Sequence, residues 1–218
     1  NPMRTTEETD RAMAWTIDDS RELYNIEGWG VGYFDINEQG HVTVHPTKDP
    51  GRGLDLYELA TDLEEQGVGL PLLLRFSDIL RTRIESLAER FQTAIEEAEY
   101  EGTYTTVYPI KVNQQRRVVE EIVAFGERYD VGLEVGSKPE LQAVLALNER
   151  TDHLIICNGY KDEEYIRLAL MGQKLGHTVL IVIEKNGEVD TLLRVAKEMD
   201  VVPTAGVRIR LSATGAGR

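Results

Sequence analysis

Tyr104-Thr-Thr-Val-Tyr-Pro-Ile110 opens the stretch that decides the fold. Four more short apolar runs follow at even intervals: Val131-Gly-Leu-Glu-Val135, Leu154-Ile-Ile-Cys157, Val179-Leu-Ile-Val-Ile183 and Gly206-Val-Arg-Ile-Arg-Leu211. Runs of this length, bounded by turn residues, read as buried strands. Between them the rhythm changes. Val118, Val119, Ile122 and Val123 share one helical face, and so do Val189, Leu192, Leu193 and Ala196. Ser137-Lys-Pro-Glu140 has the capping-box pattern that opens a helix running through Leu147, and a further helix begins near Asp162. Strands alternating with helices predict parallel βαβ units with right-handed crossovers. An open doubly wound sheet and a (β/α)8 barrel both fit, and the short, even spacing favours the barrel. The chain ends directly after a strand, at Arg218, where a closed barrel needs several more units, so it reads as a fragment.

Toward the N-terminus, Leu80, Ile84, Leu87, Ala88, Phe91 and Ile95 recur every three or four positions behind Ser77 or Asp78 as the cap. They predict a long helix with one buried face. Pro71-Leu-Leu-Leu-Arg75 before it is a short strand candidate. Alternating apolar residues in Trp29–Ile36 and His41–His45, around a turn ending at Gly40, predict a β-hairpin. Pro46–Gly53 reads as a loop. The resulting division is a polar, flexible start over 1–23, a hairpin segment and connection over 24–69, and the first part of a (β/α) barrel over 70–218.

The bulk numbers exclude several classes. The 218 residues are 41% hydrophobic and 28% charged, as in ordinary globular proteins. A net charge of −14 repels phosphate backbones and argues against a nucleic-acid partner. No apolar run is long enough to span a bilayer, and no signal-peptide pattern opens the chain. One cysteine, Cys157, cannot build a disulfide framework within the chain, which fits a reducing, cytoplasmic setting.

In a barrel the chemistry sits at the C-terminal ends of the strands. Lys111 follows the first run, Asn158-Gly-Tyr-Lys161 the third and Glu184-Lys185 the fourth, while Arg208 and Arg210 share one face of the fifth. A partly buried lysine at such a rim loses its proton readily, and its amine can condense with an aldehyde. The plain alternative is a solvated strand-end lysine, since lysine stays exposed as a rule. Glu134 interrupts an apolar strand and needs a partner, either a group at a site or a structural ion pair. Arg210 aims at a ring nitrogen or carboxylate, or closes a salt bridge at the rim. Cys157 reads as a buried apolar residue. His41, His45, His153 and His177 have no metal-ligand spacing, and no dinucleotide, P-loop or zinc motif occurs.

Tyr108-Pro-Ile-Lys-Val-Asn-Gln114 resembles the cofactor-lysine segment of the biosynthetic arginine decarboxylases. Tyr24–Phe34, Leu70–Leu80, Gly132–Leu141, Ile156–Lys161 and Gly206–Leu211 resemble other segments of that family, in its order. The resemblance runs from about Asn25 to Arg218. It implies the alanine-racemase type of fold, a pyridoxal 5′-phosphate (PLP)-binding (β/α)8 TIM-like barrel, with the N-terminal hairpin joining a β-domain. By the same resemblance Lys111 carries PLP as a Schiff base, Glu134 is the acid near it, and Arg210 lies near the cofactor ring. The implied reaction converts L-arginine to agmatine and carbon dioxide, the first step toward putrescine and spermidine. A homodimer or homotetramer and a possible Mg2+ requirement are family expectations. The phosphate loops, the acid at the pyridine nitrogen and the residues lent by a second subunit lie downstream in the family, so the chain alone is expected to be inactive. Three alternatives stand beside this: an ornithine or diaminopimelate decarboxylase, a non-catalytic PLP-binding protein, and a barrel that binds no PLP.

Overall fold

The computed structural model describes residues 15–147 and 153–209. Two compact units divide the chain, residues 1–82 and 83–218.

In the first unit, helices α1 (Ile17–Leu23) and α2 (Ile26–Gly30) precede three antiparallel strands, β1 (Phe34–Ile36), β2 (Val42–Val44) and β3 (Leu54–Asp55). The expected hairpin is present, with Phe34 opposite Val44 and Gly40 in its turn at φ +82°. Its first strand is shorter than the alternation suggested. Trp29 sits in α2 instead, half exposed, with its ring tilted against Phe34 at 5.2 Å. Within the start expected to be flexible, α1 is helical. Thr16 and Asp19 cap it reciprocally, each side chain accepting from the other's backbone N–H. Helix α3 (Leu56–Glu65), absent from the sequence reading, starts at Asp55. One carboxylate there accepts from the backbone of Tyr57 and Glu58 and also meets Asn37 Nδ2 at 2.7 Å and His41 Nδ1 at 2.8 Å. It thus ties the hairpin turn to the helix start. Pro71–Arg75 pairs with no strand among the described residues, and Leu73 is 78% exposed.

Helix α4 (Ser77–Glu97) forms as its periodicity predicts, but of the expected face only Ile84 is buried. The second unit then alternates strand and helix: β4 (Val107–Pro109), α5 (Arg116–Gly126), β5 (Gly132–Val135), α6 (Lys138–Leu147), β6 (Leu154–Cys157), α7 (Glu163–Lys174), β7 (Thr178–Ile183), α8 (Asn186–Met199) and β8 (Thr204–Val207). All four neighbouring pairs are parallel and the order is β4-β5-β6-β7-β8. That order decides between the two architectures. A doubly wound sheet reverses its strand order at a switch point; an unbroken sequential parallel order is the arc of a barrel.

Side chains alternate across this arc. Leu133, Val135, Ile155, Cys157, Ile181 and Ile183 join the helices in one core, packed on residues such as Val144, Ile166, Leu170 and Val195. The opposite face carries Glu134, Ile156 and Leu180, side by side in the ladder. The helix starts use carboxylates as caps. Gly136 N–H donates to Glu140 Oε2 at 2.6 Å, one residue before the expected capping-box position. Glu184 N–H donates to Glu188 Oε2 at 2.9 Å in the same geometry. Asp162 accepts from Tyr165 N at 2.9 Å. On the outside, Arg167 and Arg194 each bridge Glu163 and Glu198, holding the Glu163 carboxyl down at about 2. These pairs are exposed, so they orient α7 on α8 more than they stabilise it.

The buried face of α8 is rotated from the expected one: Leu192, Val195 and Ala196 point inward, while Val189 and Leu193 stay exposed. Truncation tests this offset. Leu192→Ala removes a buried side chain and is expected to cost about 2–5 kcal/mol in urea unfolding. Leu193→Ala, at an exposed position, is expected to change stability by no more than about 0.5 kcal/mol. Equal losses at the two positions contradict the packing.

Candidate cofactor site at the C-terminal strand ends

Strand β4 ends at Pro109, and the chain turns through a 3-10 segment, Ile110–Val112, that carries Lys111. The turn is pinned on both sides. Ile110 is buried, and Tyr108 OH donates to the Asn113 carbonyl at 3.2 Å. Lys111 itself is exposed, and among the described residues its amine has no hydrogen bond or ion pair. The sequence led us to expect a partly buried amine. The tight turn takes Lys111 out of the ladder and lifts it clear of the strand.

Glu134 lies on the neighbouring strand, paired with Pro109, so Lys111 is two residues beyond it toward the same rim. The carboxylate is buried at 8% exposure. Its partner is an amide rather than a cation: Asn158 Nδ2 donates to Oε1 at 2.9 Å. Its other oxygen makes no hydrogen bond among the described residues. Arg210 lies outside the described residues. Arg208, two residues earlier, has Nε 3.5 Å from Glu184 Oε1.

Four residues given no role by the sequence reading build the rest of the rim. Gly159 N–H donates to Glu184 Oε1 at 2.7 Å. Lys161 has a fully buried side chain whose ammonium donates to the carbonyls of Gly159 and Val182 and lies 3.9 Å from Glu188 Oε2. Burial pushes its pKa down, and the charges of Glu188 and Glu184 oppose that shift. Glu188 also accepts from Lys161 N at 2.9 Å. Tyr165 OH reaches the carbonyls of Val135 at 3.2 Å and Asn158 at 3.1 Å, and burial raises its pKa. One local signal pointed to Glu188: it occupies the third position of its helix, where a carboxylate can turn back to free backbone N–H groups. Nothing local distinguishes Lys161 from a surface lysine.

Among the described residues the rim offers an unpartnered primary amine next to a strand whose buried carboxylate has one oxygen without a hydrogen bond. That donor set fits an aldehyde cofactor held through an amine. Among the described residues no group of three or more His, Cys, Asp or Glu side chains could hold a metal ion, and no helix is long and apolar enough to cross a membrane.

The comparisons agree with this chemistry. The family described as pyridoxal-dependent decarboxylase, pyridoxal binding domain, matches residues 81–217, and the chain belongs to it. Among its relatives, the biosynthetic arginine decarboxylase of Phocaeicola vulgatus is 52% identical over 204 residues, covering 94% of this chain and 32% of that protein. The crystal structure of the biosynthetic arginine decarboxylase from Campylobacter jejuni matches with a TM-score of 0.76 at 33% identity, over 87% of this chain and 31% of that one. Diaminopimelate decarboxylase from M. jannaschi shares the fold, with a TM-score of 0.60 at 20% identity over 85% of this chain and 38% of that one. The chain spans about a third of the length of the arginine decarboxylases it matches.

Two outcomes check the geometry. Cys157 is buried, and desolvation pushes its thiol up to about 12, so little thiolate exists near neutrality. A thiol reagent at pH 8 is expected to leave Cys157 unlabelled in the folded protein and to label it in urea; rapid labelling of the native state contradicts the burial. Gly159 has φ +77°, and a Cβ there would collide with the Gly136 carbonyl oxygen, whereas Gly187 has open space around it. Gly159→Ala is therefore expected to lose more than about 1 kcal/mol, and Gly187→Ala, in a helix, to gain about 0.5–1 kcal/mol, by thermal unfolding.

Proposed function

We propose that this chain is the cofactor-bearing part of a biosynthetic arginine decarboxylase, which converts L-arginine to agmatine and carbon dioxide at the head of a polyamine route. The observation that carries the reading is Lys111: an exposed amine on a pinned turn, one strand from a buried carboxylate, in a chain 52% identical to a protein of that name. Bound PLP supplies an electron sink for the pair left when a carboxylate departs as carbon dioxide.

The chain's own residues have separate tasks. Lys111 Nζ anchors the cofactor aldehyde. Its exposure would leave the amine accessible to cofactor and substrate, and, when not holding the cofactor, it would sit at the same rim to move a proton. Glu134 presents a carboxyl group on the adjacent strand, its Oε1 tied to Asn158 and its Oε2 without a hydrogen bond among the described residues. Arg210 is assigned to the cofactor ring. The net charge of −14 favours the approach of a cationic substrate such as arginine. A cytoplasmic location, assembly as a homodimer or homotetramer and a magnesium requirement belong to the same proposal, as do arginine catabolism and spermidine supply as its biological context.

The test is chemical. Borohydride reduction of the holoenzyme, followed by peptide mapping, is expected to find the cofactor on Lys111. Lys111→Ala is expected to abolish the bound-cofactor absorbance and to lower kcat on the order of 1,000-fold or more. Steady-state assays with arginine, ornithine and diaminopimelate are expected to give the highest kcat/KM for arginine. Cofactor mapped to another side chain, or a preference for either of the other amino acids, refutes the assignment.

A further inference from the structure

The Asn158–Gly159 turn is held from more directions than a surface turn requires. Gly159 N–H is taken by Glu184, and the Gly159 carbonyl by the buried ammonium of Lys161. The Asn158 carbonyl faces Tyr165 OH, and Asn158 N–H donates to the Val135 carbonyl at 2.8 Å. Glu188 receives the backbone of both Lys161 and Glu184, which links the turn after β6 to the turn after β7. A side chain at position 159 would collide with the Gly136 carbonyl oxygen. These bonds use the backbone of the turn and leave the Asn158 amide to donate to Glu134.

We infer that Asn158 is a positioning residue for Glu134, and that buried Lys161 acts through Asn158 by fixing the turn that presents it. Burying a lysine in place of an apolar side chain costs stability unless its protons are matched. Here they are matched by two carbonyls and a carboxylate, and the structure so formed aims one neutral donor at one carboxylate oxygen. An amide suits this task. It fixes the carboxylate without cancelling its charge, as an arginine in its place would. This inference rests on the reading of Glu134 as a group on the cofactor's side.

A double-mutant cycle on kcat in the holoenzyme tests it. Asn158→Ala is expected to lower kcat about 10-fold with KM changed by no more than about twofold, the scale of losing one hydrogen bond to a charged group. In a Glu134→Ala background the same substitution is expected to change kcat by less than about twofold, because the group it positions is gone. Lys161→Met is expected to follow the same pattern, and Asn158→Asp, nearly isosteric but facing carboxylate with carboxylate, to lose more than Asn158→Ala. Should Lys161→Met fail to fold, the Asn158/Glu134 cycle decides alone. A loss by the same factor in both backgrounds overturns the inference and leaves the reading of Glu134 standing. A Glu134→Ala enzyme with unchanged kcat overturns both.

Discussion

Lys161 places a positive charge where water does not reach, and the rim of the second unit is organised around satisfying it. An ammonium has three protons to place. Two go to backbone carbonyls, one in the turn after β6 and one within β7, and the third side faces Glu188 on the following helix. Gly159 belongs to the lysine's own turn, whereas Val182 and Glu188 belong to the next β/α unit. The interaction therefore stitches two successive β/α units together at the end where a barrel does its chemistry. Removing one partner would strand a charge in a dry place, so the arrangement holds together or fails together.

Around that anchor the division of labour is clear. One face of the arc is apolar and belongs to the helices; it sets the strands at fixed spacing and gives the unit its core. The other face carries Glu134 among aliphatic neighbours and ends in turns rich in carboxylates, amides and lysines. Lys111 is the exception among these groups. Its turn is anchored by Ile110 and Tyr108, yet its amine has no partner among the described residues. The role proposed for it needs both features, since a residue that forms and releases a covalent bond has to be held by its backbone and left accessible at its tip.

Much of the second unit was legible because its signals are local. Runs such as Val179–Ile183 and Leu154–Cys157 bury one face each, and apolar content alone marks them. The choice between barrel and doubly wound sheet was not local; it needed the strand order. The first unit was harder. Trp29 alternates with its neighbours as a strand residue does, yet it lies in a five-residue helix, and the α3 start depends on Asp55 serving a cap and a hairpin turn together. In the candidate site, Lys111 and Glu134 stood out by residue type and position, although the exposure of the first depends on the tight turn after β4. The Asn158 contact with Glu134 joins residues 24 apart, and Lys161 reads as an ordinary polar residue until its neighbours across β7 are known. A pairing of that kind leaves no periodic trace.

The carboxylate caps have a consequence for how such a chain can be recombined. Glu140 satisfies the amide of Gly136, and Glu188 that of Glu184, in each case four residues upstream across the strand-to-helix junction. A chimaera spliced inside that junction separates donor from acceptor and leaves a loose seam in each product. Spliced in the helix-to-strand connections instead, every segment takes its own fastening with it. The cutting points that spare these caps are therefore at the floor of the barrel, while a swap that parts β6 from β7 has to carry Lys161 together with its Val182 and Glu188 partners.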